Sequence, residues 1–179
     1  MAILQWQFTM SLDGFMAGPG GDMSWVQGLP AADKEVAETR ESTGALLVGN
    51  RTFRGDDPYA ENPEEGEAYG GGWHGTQFVL THHSPSTPVP GVTFVNDLHA
   101  GVAAAKAAAG DKHVGVLGAN VARQCLEAGI LDEILMFLAP VLLGDGVRVF
   151  DHPGGSLVRL ERVPTASSSP MYHRLRVVR

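Results

Sequence analysis

The chain has 179 residues, 44% of them hydrophobic and 18% charged, the proportions of a soluble globular protein with length enough for one core. Thirteen basic residues against 20 acidic ones leave a net charge of −7, which argues against a broad nucleic-acid or membrane surface. No apolar run approaches the ~20 residues that cross a bilayer, Met1 to Trp6 has no basic leader, and lone Cys125 reads as a core residue, so a cytoplasmic protein is expected.

Residues 3–10 alternate Leu4, Trp6, Phe8 and Met10 with Gln5, Gln7 and Thr9, the period of a strand. Residues 13–30 are rich in glycine and proline and read as a long loop. A helix is expected from about Ala31 to Thr43, stopped by Gly44, then a short buried strand Ala45–Val48. Asn50 or Thr52 has the side chain to cap a helix after it. The span 54–75 reads as a loop, with Asp56–Glu67 acidic and solvated. Strands follow at Gln77–Thr81 and Val92–Val95, and Asn96 is placed to cap a helix over 97–109 that ends at Gly110. A strand at 113–117, a helix at 119–128 and a strand region at 133–141 come next. After a loop over 142–155, Val158–Val163 and Tyr172–Val178 close the chain as strands, joined through Ser167–Pro170. Strands that alternate with helices and then finish as strands predict one α/β domain over residues 1–179, with a mixed sheet.

Gly118 stands between the apolar run Val114–Leu117 and the helix-like run that opens at Ala119. A glycine there lets the backbone turn sharply and approach a ligand, and the first N–H groups of the helix suit a phosphate. Open α/β sheets bind ligands at the C-terminal ends of their strands. Five segments are expected there: Ser11–Gly18, Gly21–Trp25, Val48–Phe53, Leu80–Ser84 and Leu117–Asn120. Arg51, Thr52, Thr81 and His83 offer polar or cationic groups to phosphates, and Met23 and Trp25 offer apolar cover to a flat ring. Asp13, before Gly14, suits a turn and a site equally. Asp33 suits an exposed first-turn acid better than a proton relay. His82-His83 has no Cys or carboxylate partner at ligand spacing, so no metal is expected.

The ordered pieces Ser11-Leu12-Asp13-Gly14, Met23-Ser24-Trp25, Gly49-Asn50-Arg51-Thr52-Phe53, Val116-Leu117-Gly118-Ala119-Asn120 and Pro140-Val141-Leu142-Leu143-Gly144-Asp145-Gly146 resemble the dihydrofolate reductase superfamily. The branch they most resemble is the C-terminal reductase domain of the bifunctional riboflavin-biosynthesis deaminase-reductase. That resemblance implies a dihydrofolate-reductase-like, mainly parallel sheet of about eight strands flanked by helices, NADPH as cofactor, and a homodimer. It implies that Gly49, Asn50, Arg51 and Thr52 open a helix onto the pyrophosphate. By the same resemblance Thr81, His82 and His83 lie near the adenosine ribose and its 2′-phosphate. Leu117, Gly118, Ala119, Asn120 and Val121 cradle the nicotinamide side, and Ala17 and Gly18 approach the ring with Trp25 nearby. The implied reaction is hydride transfer to a C=N or C=O group of a small heterocycle, a ribosylaminopyrimidine or a pterin, with a proton from water, Asp13 or Asp33.

The chain departs from these relatives at Asn50, where arginine is frequent, and at Ala119, where dihydrofolate reductases carry a second glycine. Asp33 falls one residue after the place of the pterin-holding carboxylate. These departures keep a second reading open, a nicotinamide-nucleotide-binding or ligand-sensing module without catalysis. Ile134–Leu138 fits a dimer interface or a buried strand equally.

Overall fold

The computed structural model describes residues 2–29, 33–55, 68–167 and 169–179. The expected helix start at Ala31, the acidic stretch Asp56–Glu67 and Ser168 lie outside the described residues. The elements are β1 (Leu4–Ser11), β2 (Phe15–Ala17), α1 (Asp33–Ser42), β3 (Thr43–Gly49), α2 (Asn50–Phe53), β4 (Thr76–Leu80), β5 (Val92–Val95), α3 (Leu98–Ala109), β6 (His113–Leu117) and α4 (Ala119–Glu127). Then come β7 (Glu133–Ala139), β8 (Val147–Arg148), β9 (Leu160–Arg162) and β10 (Tyr172–Val177). Eight strands form one sheet in the order β5-β4-β3-β6-β1-β7-β10-β9, while β2 and β8 pair separately. All pairings from β5 to β7 are parallel, and β10 and β9 add an antiparallel margin. This is the expected mixed, mainly parallel eight-stranded α/β sheet.

Local chemistry moves several boundaries. α1 passes into β3 without a loop, Ser42 to Thr43, so Gly44 lies inside the strand and does not stop the helix. A β-carbon on Gly44 would fall 2.6 Å from Ala109 O; glycine is there to admit the end of α3. Asp97, not Asn96, caps α3: its extended backbone turns the carboxylate back to accept from Ala100 N at 2.7 Å. The expected loop over 13–30 contains β2 and two short 3₁₀ turns, Pro19–Gly21 and Ser24–Val26.

The main core lies under α3 and α4, where Leu4, Trp6, Leu47, Val114, Val116, Val121, Cys125 and Leu131 are buried. Burial pushes the Cys125 thiol up to about 12, consistent with the core role expected of it. A second cluster, Leu46, Val48, Trp73 and Val79, is packed by Tyr69 and Phe53. Between α1 and the sheet runs a polar chain. Arg174 Nε donates to Glu133 at 2.6 Å, Gln5 Nε2 donates to the same carboxylate at 3.2 Å, and Gln7 Nε2 donates to Gln5 at 2.9 Å and to Thr43 Oγ1 at 3.2 Å. The Tyr69 hydroxyl donates to Gln7 Oε1, and Thr43 Oγ1 donates to Thr39 O at 2.8 Å. Ile134–Leu138 is part of β7, hydrogen-bonded between β1 and β10, so the strand reading of that segment holds.

Candidate functional site

Parallel register sets the site. Val48 pairs with Leu117 and Gly49 with Leu80, so β3, β6 and β4 end side by side. At the end of β6, Gly118 turns the chain into α4 with φ 104, a region closed to most side chains. A β-carbon on Gly118 would lie 2.5 Å from Thr52 Oγ1 and 3.9 Å from Gly49 N. One on Gly49 would touch Val121 Cγ1 at 3.6 Å. Gly49–Thr52 and Leu117–Val121 therefore lie side by side as one wall, with backbone brought close to backbone.

That wall differs from the expectation in its helix. α2 is a single turn of four residues; Gly49 is its N-cap, no side chain caps it, and Asn50 and Thr52 are helical. A single turn carries little dipole, so an anion there would be held mainly by individual N–H groups and side chains. Arg51 and Thr52 are exposed, while Asn50 Oδ1 is buried without a hydrogen-bond partner. Beside Gly49, Thr81 N donates to Val95 O at 2.8 Å and His83 N donates to Thr81 Oγ1 at 3.1 Å. This tight turn leaves His82 and His83 exposed. Ala119 and Asn120 open α4, Asn120 accepting from Gln124 Nε2 at 2.7 Å.

The second wall leaves β1. Asp13 accepts from Ser11 Oγ at 2.6 Å, Leu143 N at 3.1 Å and Gly144 N at 2.7 Å. The Ser11 hydroxyl foremost, then the two amides, hold its carboxyl down to about 2. Asp13 is thus ionised at neutral pH and engaged in tying the loop after β7 to the end of β1. That loop then packs on Ala17 and Gly18, where a β-carbon on Gly146 would overlap Ala17 O. Gly18 N donates to Asp22 O at 2.8 Å, and Asp22 Oδ1 accepts from Ser24 N at 2.8 Å, which sets the turn that carries Trp25. The Trp25 indole N–H is buried without a hydrogen-bond partner.

Asp33 is exposed on the first turn of α1, and the buried carboxylate of that helix is Glu35. Ser167 Oγ donates to Glu35 and is the largest cause holding its carboxyl below the usual range. Sequence reasoning missed Glu35; its signal was the shared face with Thr39, four residues on and also buried. It also missed Arg148, whose guanidinium stands 4.8 Å from the centre of the Phe15 ring, because β8 is too short to show a period. Among the described residues no group of three His, Cys, Asp or Glu side chains is placed to hold a metal ion.

The donor set fits a pyridine dinucleotide. It combines close backbone at Gly118 and Gly49, an unpaired indole N–H at Trp25 and an exposed cation at Arg51. Comparison with known proteins gives the family and the fold. Residues 2–173 match the RibD C-terminal domain family. The riboflavin biosynthesis protein RibD of Corynebacterium ammoniagenes is 30% identical over 169 residues, covering 82% of this chain and 45% of that protein. The chain spans about half the length of the curated relatives it matches. Among solved structures, the diaminohydroxyphosphoribosylaminopyrimidine deaminase/5-amino-6-(5-phosphoribosylamino)uracil reductase of Thermotoga maritima superposes with a TM-score of 0.68 at 18% identity, over 99% of this chain and 57% of that one. Dihydrofolate reductase of Enterococcus faecalis, complexed with NADP(H), gives 0.58 at 16% identity, over 98% and 94%. With its strand order and a match that runs almost from end to end, this chain belongs to the RibD C-terminal domain family.

Proposed function

We propose that the protein is an NADPH-dependent reductase of a small heterocycle, of the ribosylaminopyrimidine class on which the Thermotoga relative acts. The observation that carries this is Gly118, held at a torsion only glycine adopts easily and packed against Thr52 and Gly49. When bound, NADPH supplies a hydride to an electrophilic carbon of the substrate. Gly49, Asn50, Thr52 and Gly118 to Val121 would hold the pyrophosphate, with Arg51, Thr81, His82 and His83 on the adenosine side. Ala17, Gly18 and Trp25 would border the nicotinamide, and their fixed backbone would align donor and acceptor.

Asp13 contributes by positioning. Its carboxylate keeps Leu143 and Gly144 over the end of β1, and an acid with a pKa of about 2 holds no proton to give at neutral pH. With Asp33 exposed on the first turn of α1, the proton then comes from water. No helix among the described residues is long and apolar enough to cross a membrane. We place the protein in the cytoplasm as a homodimer, with a small-molecule substrate and no nucleic-acid or membrane partner.

The test is titration with NADPH, followed by its fluorescence, on the native chain and on Gly118→Val. Valine at this torsion is strained and meets Thr52, so binding is expected to weaken at least about tenfold with the circular dichroism unchanged. Consumption of NADPH with a ribosylaminopyrimidine supports the reductase. Tight binding with no turnover on any heterocycle would instead favour a sensing module, and no binding of any nicotinamide dinucleotide would remove both readings.

A further inference from the structure

Tyr69 is the one non-glycine among the described residues with a left-handed backbone, φ 63 and ψ 28, a conformation that a large side chain adopts only under constraint. Its phenol supplies the constraint. The hydroxyl donates to Gln7 Oε1, and the ring packs on the cluster of Leu46, Val48, Trp73 and Val79. Burial pushes the pKa of the phenol up, so it keeps its proton and stays a donor. Gly115 makes room for it, since a β-carbon there would fall 2.8 Å from the hydroxyl. Gly71 and Gly72 follow with φ 94 and 71, a backbone free to swing.

The bed of this ring begins just beneath the crevice. Leu46 pairs with Gly115 and Val48 with Leu117, all four on one face of the sheet, and the next residues are Gly49 and Gly118. Glu133 sets the chemistry of its deep end. A carboxylate only accepts, so Gln5 gives it Nε2 and turns Oε1 to accept from Gln7 Nε2 at 2.9 Å. Gln7 Nε2 also donates to Thr43 Oγ1 at 3.2 Å, which leaves Gln7 its Oε1 to offer the bed. Any group that takes the place of the phenol must be flat and must bring an N–H or O–H. We propose, resting on the reductase reading above, that Tyr69 is a displaceable latch in the seat of the substrate's heterocycle. Tyr69 swings out on Gly71 and Gly72, and a ring N–H of the substrate takes over the bond to Gln7 Oε1. The substrate class narrows to flat heterocycles that donate at this edge, such as aminopyrimidines.

Fluorine-19 NMR of the full chain carrying 3-fluorotyrosine tests this, with the Tyr69 resonance assigned by its loss in Tyr69→Phe. Saturation with 5,6-diaminouracil is expected to move that resonance to the position of a solvated tyrosine, and 1,3-dimethyluracil, which has no N–H, to leave it in place. Binding of 5,6-diaminouracil is expected to tighten about fivefold in Tyr69→Phe and about tenfold in Tyr69→Gly, because the internal competitor is weakened or gone. A tyrosine that serves packing alone gives the opposite result, an unmoved resonance and weaker binding in both variants, and that result overturns the latch. Displacement by 1,3-dimethyluracil equal to that by 5,6-diaminouracil overturns it as well. Circular dichroism verifies the fold, and Tyr69→Phe, which keeps the ring, carries the affinity test if Tyr69→Gly does not fold. NADPH titration of the native chain keeps the two readings apart: NADPH binding with Tyr69 unmoved removes the latch alone, and no nicotinamide binding with Tyr69 displaced removes the reductase and leaves the seat.

Discussion

The two faces of β1 solve the same problem in opposite ways. On one face Leu4 and Trp6 are buried and Phe8 and Met10 pack against them, in a contact that is non-directional and tolerant of small shifts. On the other, Gln5, Gln7 and Ser11 are equally buried, 2%, 5% and 0% exposed, yet each is held by a specific partner. Polar burial is stabilising only while those partners are present, so this face fixes geometry where the other supplies bulk stability. It is also the face that leads to the site. Ser11, at the C-terminal end of the strand, hands on to Asp13, while Gln7 ties the strand to Thr43 at the start of β3, away from the site.

That contrast is open to measurement. Trp6→Ala removes the largest buried side chain of the apolar face and is expected to cost about 3–5 kcal/mol in urea unfolding, with NADPH affinity at saturating stability unchanged. Glu133→Ala leaves Arg174 and Gln5 without their acceptor. The expected cost is about 3 kcal/mol, the lower end for a broken buried pair because Arg174 is 26% exposed. Its effect should be non-additive with Gln7→Leu, since both act on one chain of bonds; strict additivity would mean the polar face does not act as a unit.

The smallest effect belongs to Asp13, and it is a matter of pH. Its folded pKa, about 2, lies below the ordinary 3.8, so its contribution is complete above about pH 4 and fades as pH falls through about 2. Asp13→Asn should flatten that part of the acid unfolding curve relative to the native chain and leave the curve above pH 5 parallel to it. Equal acid slopes in both proteins would show that the clamp carries no proton linkage.

How much of this was legible in the sequence depended on period and distance. Alternation in β1 and β10 and the apolar runs of β3, β6 and β7 gave the sheet, because each is long enough to repeat. β2 and β8, three and two residues long, have no period to read. Tyr69 and Trp73 hid among glycines, and only the tertiary structure shows them closing the second cluster. Gly49 and Gly118 stood out because a strand, a glycine and a helix follow one another locally. Asp13 was legible as a turn residue, but its bonds to Leu143 and Gly144 join residues about 130 positions apart, which no local pattern reports.

The seamless passage from Ser42 to Thr43 has an evolutionary consequence. One inserted residue at that seam would rotate α1 by about 100° relative to the strand or flip every β3 side chain to the wrong side. Length changes in descendants of this gene should therefore accumulate elsewhere, in exposed connections such as 82–90 between β4 and β5, and an alignment that opens a gap at position 42 or 43 is misplaced.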